Sequence, residues 1–209
     1  MGHYNGTAGP PLFAGVLKKS LRDRLMVGHM PLEHSILVRV QVPQHVKITM
    51  PEQESKIIYA YEKATDNSLS SIFLAGPSPR GEDNFNWRPE AIKKLQDLGF
   101  EGNIFVPLPR DGYWAEDYTD QVEWELEHLE KATVVVFWIP RDLKTLPAFT
   151  TNVEFGMFLK SGKIVLGSPV GAEKMKYLEY VARKNNVSVS NTLEETLQAG
   201  IDLVTKLKK

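Results

Sequence analysis

The pattern of apolar positions along the chain predicts five buried strands. The runs at 71–77 (SIFLAGP), 103–107, 134–139 (VVVFWI) and 163–167 are short, continuous and rich in β-branched and aromatic residues. This composition is typical of strands that are buried on both faces of a parallel sheet. A fifth run, VSVS at 187–190, indicates a short edge strand.

Helical spacing of apolar residues fills the intervals between these runs. It predicts helices over 88–98, 116–131, 152–161, 171–185 and 192–207. Because strands and helices alternate, we expect an α/β fold with a doubly wound, flavodoxin-like or Rossmann-like, five-stranded parallel sheet.

The N-terminal part of the chain lacks this regularity. Apart from SILVRVQV at 35–42, which alternates like an edge strand, it mixes Gly, Pro and His with scattered positive charges. Val40 to Pro43 can be encoded by a GTT-CAA-GTC-CC series, which matches the T-arm consensus of transfer RNA genes. We therefore expect residues 1–49 to be either a poorly ordered, irregular extension or the spurious translation of an upstream RNA gene, with Met50 as a candidate start.

The remaining chain has the composition of a single globular domain. Residues 50–70 are expected to be a linker that leads into this domain at 71–209, and 42% of the 209 residues are hydrophobic. The net charge of -1 argues against a nucleic-acid polymer as partner. The absence of cysteine excludes disulfides, thiolate metal sites and a cysteine nucleophile. No apolar run suits a membrane span or a signal peptide, so we expect a cytoplasmic protein without a membrane partner.

The carboxyl ends of the predicted strands should form one rim, because parallel strands end at the same edge of a sheet. The loops that leave these ends carry several charged side chains, namely Arg80, Arg88, Arg110, Asp111, Arg141 and Asp142. Converging guanidinium groups could pair with a phosphate or carboxylate group of a ligand. The alternative for each arginine is a solvated position on its loop.

Glu154 lies one turn into the predicted helix at 152–161 and therefore close to this rim. One interpretation is a carboxylate that faces a crevice at the edge of the sheet. The other is a capping box, because Thr151 precedes Glu154 by three residues and the glutamate would then only satisfy a backbone amide.

Glu125 falls on the apolar stripe that is predicted for the helix at 116–131. That stripe comprises Tyr118, Val122, Leu126 and Leu129. A buried carboxylate needs a partner, which could be an arginine such as Arg88 or a hydroxyl group of a ligand. The nearby His128 is expected to be exposed, because acidic residues flank it.

Motifs for metal and nucleotide cofactors are missing from the sequence. It contains no HExxH, no DxDxDG, no P-loop and no GxGxxG fingerprint after the first predicted strand. Neither a metal centre nor a cofactor is therefore expected.

Four stretches, in this order and spacing, resemble the nucleoside 2-deoxyribosyltransferase family, in particular its divergent 2-deoxyribosyltransferase-like branch. They are FLAGP, WRPEA, QVEWELEHLEKATVVVFWIP and TNVEFGMFLKSGKIVLG. The similarity covers about residues 71–170. Its most specific element is a strand and an IP-containing loop, followed by a glutamate-aromatic-glycine turn and an SGK strand.

The resemblance implies glycosyl transfer at the N-glycosidic bond of a (deoxy)nucleoside or a nucleoside 5′-monophosphate. Glu154 aligns with the family's nucleophile, which forms a covalent glycosyl-enzyme intermediate. Asp142 matches the region that supplies an acid to the leaving base, and Glu125 falls near an acidic position that orients the sugar or the nucleophile. The residues expected to bind the substrate are Gly76, Pro77, Arg80, Arg88, Asp111, Tyr113, Arg141 and Asn152.

The resemblance leaves the outcome of the reaction open. Arg80 and Arg88 suggest a phosphorylated substrate, as in the related nucleotide N-glycohydrolases, in which water replaces the acceptor base. A non-catalytic nucleotide-binding module is a third alternative. Family members complete their sites across subunit contacts, which implies a homo-oligomer with the aromatic loop of Tyr113 and Trp114 as a contact. Phe73 stands near the position of a family tyrosine, so Tyr113 is a candidate for supplying the missing hydroxyl.

Overall fold

The computed structural model describes residues 55–64, 66, 68–79, 85–114 and 117–209. The predictions made for 1–49, for the start at Met50 and for Arg80 lie outside this part of the chain. Its strands are β1 (Lys56–Tyr59), β2 (Ser71–Ala75), β3 (Asn103–Val106), β4 (Val134–Trp138), β5 (Ile164–Gly167) and β6 (Val189–Ser190). Its helices are α1 (Arg88–Asp97), α2 (Tyr118–Lys131), α3 (Phe149–Phe158), α4 (Lys176–Lys184) and α5 (Leu193–Leu207).

The strands form one parallel sheet in the order β1-β3-β2-β4-β5-β6. The predicted doubly wound α/β fold is confirmed, because the five predicted strands, β2 to β6, follow the flavodoxin-like order 2-1-3-4-5 when numbered among themselves. The predicted count of five is wrong by one, since β1 adds a sixth strand at the edge beside β3. Only Ile58 in β1 is fully buried. A strand of such mixed polarity gives a weak signal in the sequence.

Each face of the sheet builds its own core, because successive strand residues point to opposite sides. On one face, Ile72 and Leu74 of β2 pack with buried residues of α1 and α5. On the other face, Phe73 belongs to the cluster that α2, α3 and α4 complete. The helices therefore cover both sides of the sheet and leave the ends of its strands for a site. Within the described ranges, no helix is long and apolar enough to cross a membrane.

Helix α2 turns a different face to the sheet from the predicted one. Tyr118 is 70% exposed, Leu126 is also exposed, and the side chains that α2 buries are Gln121, Trp124, His128 and Leu129. The expectation of an exposed His128 is wrong: it is only 6% exposed, because its ring stacks on Trp124 with 3.9 Å between the ring centroids. The apolar stripe did not predict the buried face of α2, because this helix buries polar side chains and leaves apolar ones in solvent.

Helix α3 begins at Phe149, three residues before the predicted start. Its N-cap residue is Ala148, which has a left-handed backbone with φ of 57° and makes no side-chain capping bond. Thr151 and Glu154 therefore both lie inside the helix, and the capping-box interpretation of Glu154 is wrong. The carboxylate of Glu154 remains available for another role.

Candidate active site

The chain order of the strands reverses beside β2, whose neighbours are β3 on one side and β4 on the other. In open α/β sheets, ligands bind at the carboxyl ends of the strands next to such a reversal. The residues that follow β2 and β3 meet α2 and the first turns of α3 at this point, around a hollow of about 30 Å³. The hollow is lined by Phe73, Ala75, Gly76, Ser78, Pro107, Glu125, Thr150 and Glu154.

Gly76 lets the chain leave β2 in close contact with β4. Its φ is 156°, and a Cβ atom at this position would collide with the carbonyl oxygen of Trp138 and lie 2.8 Å from Cζ2 of Trp87. Only glycine avoids both problems. The next residue, Pro77, accepts a hydrogen bond from the indole Nε1 of Trp87 at 3.3 Å. These two predicted binding residues therefore shape the turn, and Gly76 also lines the hollow.

Arg88 supports the same turn from the first position of α1. It is 1% exposed, and its guanidinium donates to the carbonyl oxygens of Leu74 at 3.2 Å, Gly76 at 2.8 Å and Pro77 at 3.1 Å. Burial lowers the pKa of Arg88 to about 10, and the two carboxylates at the hollow oppose this. Arg88 therefore stays protonated at neutral pH, and it fixes the turn while acting on the carboxylates through its charge.

Replacing Arg88 by Met should lower the free energy of unfolding by about 2–4 kcal/mol, measured by urea denaturation. Carbonyl oxygens in the turn would lose their donor, and the carboxylates would lose the nearby cation. The matched control is Arg183→Met on α4, where the arginine is exposed and the change should stay within about 0.5 kcal/mol. Equal losses in the two variants would contradict a structural role for Arg88.

Glu154 and Glu125 face one hollow from two helices, α3 and α2. Burial raises the pKa of Glu154 to about 7; the negative charge of Glu125 adds to the rise, and Arg88 opposes it. Burial also raises the pKa of Glu125, although a hydrogen bond from Gln121 and the charge of Arg88 lower it. Because the two groups interact, their protons come off as a coupled pair, and the pair retains a proton into the neutral range. Carboxyl groups whose pKa is raised by their surroundings are typical of catalytic sites.

Gln121 is a residue of this site that the sequence analysis missed. Its Nε2 donates to Oε1 of Glu125 at 2.5 Å and to the carbonyl oxygen of Pro107 at 3.4 Å. Gln121 therefore ties Glu125 to the end of β3. The signal that could have revealed it is the spacing of four residues between Gln121 and Glu125 on one helix, which places both side chains on the same face.

Asp142 is not among the residues that line the hollow. Its Oδ1 accepts hydrogen bonds from the backbone N–H groups of Thr145 and Lys144 and from the Thr145 hydroxyl. The backbone bond from Thr145 contributes most to lowering the pKa of Asp142. A carboxylate that is stabilised in this way is a poor proton donor at neutral pH.

The other predicted binding residues also lie away from the lining of the hollow. Arg141 is buried and donates to Oδ1 of Asn152 and, at 3.3 Å, to the carbonyl oxygen of Lys174. Asp111 accepts a hydrogen bond from the backbone N–H of Tyr113 at 3.1 Å, and both residues are exposed. In the part of the chain that the structure describes, no group of three or more His, Asp or Glu side chains could hold a metal ion.

The protein is an open α/β protein with two half-buried carboxyl groups at its strand reversal, which is the place where proteins of this class bind their ligands. The family model described as "Nucleoside 2-deoxyribosyltransferase like" matches residues 69–171, which run from just before β2 to just after β5. These residues belong to that family, and the resemblance inferred from the sequence is confirmed. The matched segment includes both Glu125 and Glu154. A search of curated proteins found no match to the chain.

Proposed function

We propose that the protein transfers a glycosyl group at the N-glycosidic bond of a (deoxy)nucleoside, with Glu154 as the nucleophile. The observation that carries this proposal is the pair of half-buried carboxyl groups with raised pKa values, Glu154 and Glu125, at one hollow beside the strand reversal. The match of the surrounding segment to a nucleoside 2-deoxyribosyltransferase-like family supports the same reaction class. An oxocarbenium-like transition state is stabilised by a carboxylate, which can also trap the sugar covalently.

Two displacements at the anomeric carbon account for the reaction. In the first, a carboxylate oxygen of Glu154 bonds to this carbon while its bond to the base nitrogen breaks, and the electron pair leaves with the base. The base takes up a proton from water, because Asp142 has a lowered pKa and Glu125 is ionised when its charge raises the pKa of Glu154. The carboxylate of Glu125 orients the hydroxyl groups of the sugar. In the second, an acceptor base or water attacks the same carbon, loses a proton to solvent and releases the carboxylate of Glu154, with retention of configuration.

The contacts of the described arginines favour an uncharged nucleoside over a nucleoside 5′-monophosphate. Arg88 already donates to three carbonyl oxygens, and Arg141 donates to Asn152. Arg110 pairs with Glu62, with 2.6 Å between Nε and Oε1. A phosphate group would have to compete with these partners. The nucleoside 5′-monophosphate is the alternative, because Arg80, which lies outside the described residues, could pair with its phosphate group.

A panel of substrates tests the reaction class. The protein is incubated with nucleosides and with nucleoside 5′-monophosphates, with and without a second free base, and the released base is followed by chromatography. Exchange of bases is the expected result. Release of base without an acceptor would favour the alternative, a nucleotide N-glycohydrolase. Binding without release, unaffected by Glu154→Ala, would overturn the enzymatic proposal in favour of a non-catalytic nucleotide-binding module.

The pH profile of Glu125→Gln tests the coupling between the two carboxyl groups. In the wild type, kcat/KM should rise with pH to a midpoint near 7, because this ratio reports the free enzyme and the nucleophile must be ionised. Without the neighbouring charge, the pKa of Glu154 falls, but it stays above 4.5 because burial, the larger cause, remains. We therefore expect the midpoint to move to lower pH and the rate to fall about 10²-fold, since the carboxylate that orients the sugar is lost.

The control for this profile is Glu123→Gln, which removes an exposed carboxylate from the same helix. Its midpoint should match that of the wild type. A Glu125→Gln midpoint that does not move would contradict the electrostatic coupling between Glu125 and Glu154.

Exposed apolar side chains beside the hollow support a homo-oligomer. Phe149, Val153 and Met157 follow one another at intervals of four residues on α3 and are 67%, 63% and 58% exposed. Tyr118 on α2 is also exposed, on the same side of the sheet. Contiguous apolar surface of this kind marks an interaction site. A second copy of the chain that covers it would also enclose the hollow, because Thr150 lines the hollow next to Phe149.

Val153→Asp should therefore convert an oligomeric wild type into monomers, as measured by light scattering, because it places a charge in the centre of this apolar surface. Val170→Asp is the control, since Val170 is 87% exposed but lies outside α2 and α3. A monomeric wild type, or an oligomer that survives Val153→Asp, would remove this surface from the proposal.

A further inference from the structure

A second and larger cavity, of about 500 Å³, lies at the opposite end of the central strands from Glu154. Ser71 at the start of β2, Asn103 at the start of β3 and Thr133 just before β4 contribute to its walls. Its volume lies within the range of about 300–1,000 Å³ that is usual for small-molecule sites. The five residues of β2, at about 3.3 Å each, place roughly 15 Å between it and the carboxylate pair.

One wall of this cavity is aromatic. The ring of His128 stacks on Trp124 and meets Phe105 edge to face, with 4.8 Å between the centroids of His128 and Phe105. All three residues line the cavity. Such a wall suits a flat, aromatic ligand.

His128 presents a hydrogen-bond acceptor in this wall. Its Nδ1 lies 2.8 Å from the carbonyl oxygen of Trp124, and because a carbonyl can only accept, Nδ1 carries the proton. Burial lowers the pKa of His128, so the ring is neutral at physiological pH and Nε2 is an acceptor. Within the described ranges, no donor reaches Nε2.

Asn103 adds a second acceptor. The residue is 1% exposed, and its side-chain nitrogen donates to the carbonyl oxygen of Asp66 at 2.7 Å. Its Oδ1 is buried and has no partner among the residues that the structure describes. An unpaired buried acceptor is unfavourable, so a donor from a ligand in the adjoining cavity would stabilise it.

The hydroxyl groups of Ser71 and Thr133 supply a donor. Each oxygen accepts the backbone N–H of the other residue at 3.0 Å, and the two oxygens lie 3.4 Å apart. Only one of the two hydroxyl protons can be shared between these oxygens. The other proton is therefore available to an acceptor in the cavity.

We propose that this cavity binds a planar heteroaromatic ring with N–H donors and a carbonyl or ring-nitrogen acceptor, the chemical class of the nucleobases, at a site separate from Glu154. The aromatic wall packs against the ring, and the acceptors of His128 and Asn103 receive its N–H groups. A Ser71 or Thr133 hydroxyl donates to its acceptor. This site goes beyond the glycosyl-transfer proposal and holds whether or not that proposal does, because it concerns equilibrium binding alone.

Isothermal titration calorimetry of the full chain tests the site, with uracil and adenine as probes. A dimethylated uracil, in which both ring nitrogens are capped, is the control ligand, since it keeps the ring and loses the N–H donors. We expect saturable binding of the free bases and a dissociation constant at least about tenfold weaker for the capped ring.

Variants distinguish this cavity from the hollow at Glu154. Ala64→Phe fills the cavity from its half-buried lip without removing a hydrogen bond, and His128→Phe keeps the stacked ring but removes Nε2. Each should weaken binding about tenfold or more. Val170→Phe, at an exposed position that lines neither cavity, should leave the affinity unchanged.

Two results would overturn the proposal. The first is a lack of binding of both bases by the wild type. The second is binding that survives both Ala64→Phe and His128→Phe, which would place the base outside this cavity. Thermal unfolding identifies any variant that does not fold. If one of the two cavity variants does not fold, the other one decides the test.

Discussion

Glu154→Gln is expected to lower the rate of base exchange by about 10³-fold or more, the usual loss when a covalent nucleophile is removed. The amide has nearly the shape of the carboxyl group but cannot form the covalent bond to the anomeric carbon. Because the side chain lies inside α3 and makes no capping bond, the substitution should leave the helix intact. The rate is measured by chromatography of released base at a pH above 7, where wild-type Glu154 is ionised.

The control is Glu123→Gln, which removes an exposed carboxylate that does not line the hollow. It should retain full activity. Mass spectrometry of quenched wild-type protein should in addition detect a deoxyribosyl adduct on the peptide that contains Glu154, and the Gln variant should lack it. A Glu154→Gln protein that keeps more than about a tenth of the wild-type rate would exclude Glu154 as the nucleophile.

Most of the fold could be predicted because buried parallel strands leave an unambiguous pattern. VVVFWI consists of β-branched and aromatic residues, and SIFLAGP contains the continuous apolar run IFLA, so both indicate buried strands. The strand KIIY of β1 could not be recognised in the same way, because an edge strand buries few of its side chains and tolerates polar ones. Its pairing with β3 is a tertiary contact that local patterns do not encode.

The candidate site was predicted less completely than the fold. Topology indicated that Glu154 would lie near the carboxyl edge of the sheet, since the strand ends and the first turns of the following helices meet there. Which side chains turn inward was not predictable in the same way. Arg88 was expected to contact a ligand and instead donates to the backbone of the turn after β2. The sequence predicts that this arginine lies near the rim. The direction of its guanidinium depends on tertiary packing, because Arg88 lies over the ring of Trp87 and that ring packs against Gly76.

Glu154→Gln is also expected to make the protein more stable at alkaline pH, by about 3 kcal/mol at pH 8. The folded state raises the pKa of Glu154 from 4.5 to about 7, and a pKa difference of one corresponds to about 1.4 kcal/mol. A carboxyl group with a raised pKa in the folded state makes its full contribution to the free energy of unfolding below pH 4.5, where it is protonated in both states. Its contribution is lost as the pH rises from 4.5 to about 7, because the unfolded chain ionises over this range while the folded group holds its proton. The amide in the Glu154→Gln variant does not ionise, so the variant does not lose this stability.

Urea denaturation at pH 4.5 and at pH 8 measures the effect as a difference between the variant and the wild type. The two proteins should have similar free energies of unfolding at the lower pH, and the variant should be more stable at the higher pH. Glu123→Gln, on an exposed side chain, should show no such dependence. If the difference in free energy of unfolding between Glu154→Gln and the wild type is equal at both pH values, Glu154 ionises normally in the folded protein. In that case its carboxylate is solvated rather than buried beside Glu125, and the electrostatic basis of the proposed nucleophile is removed.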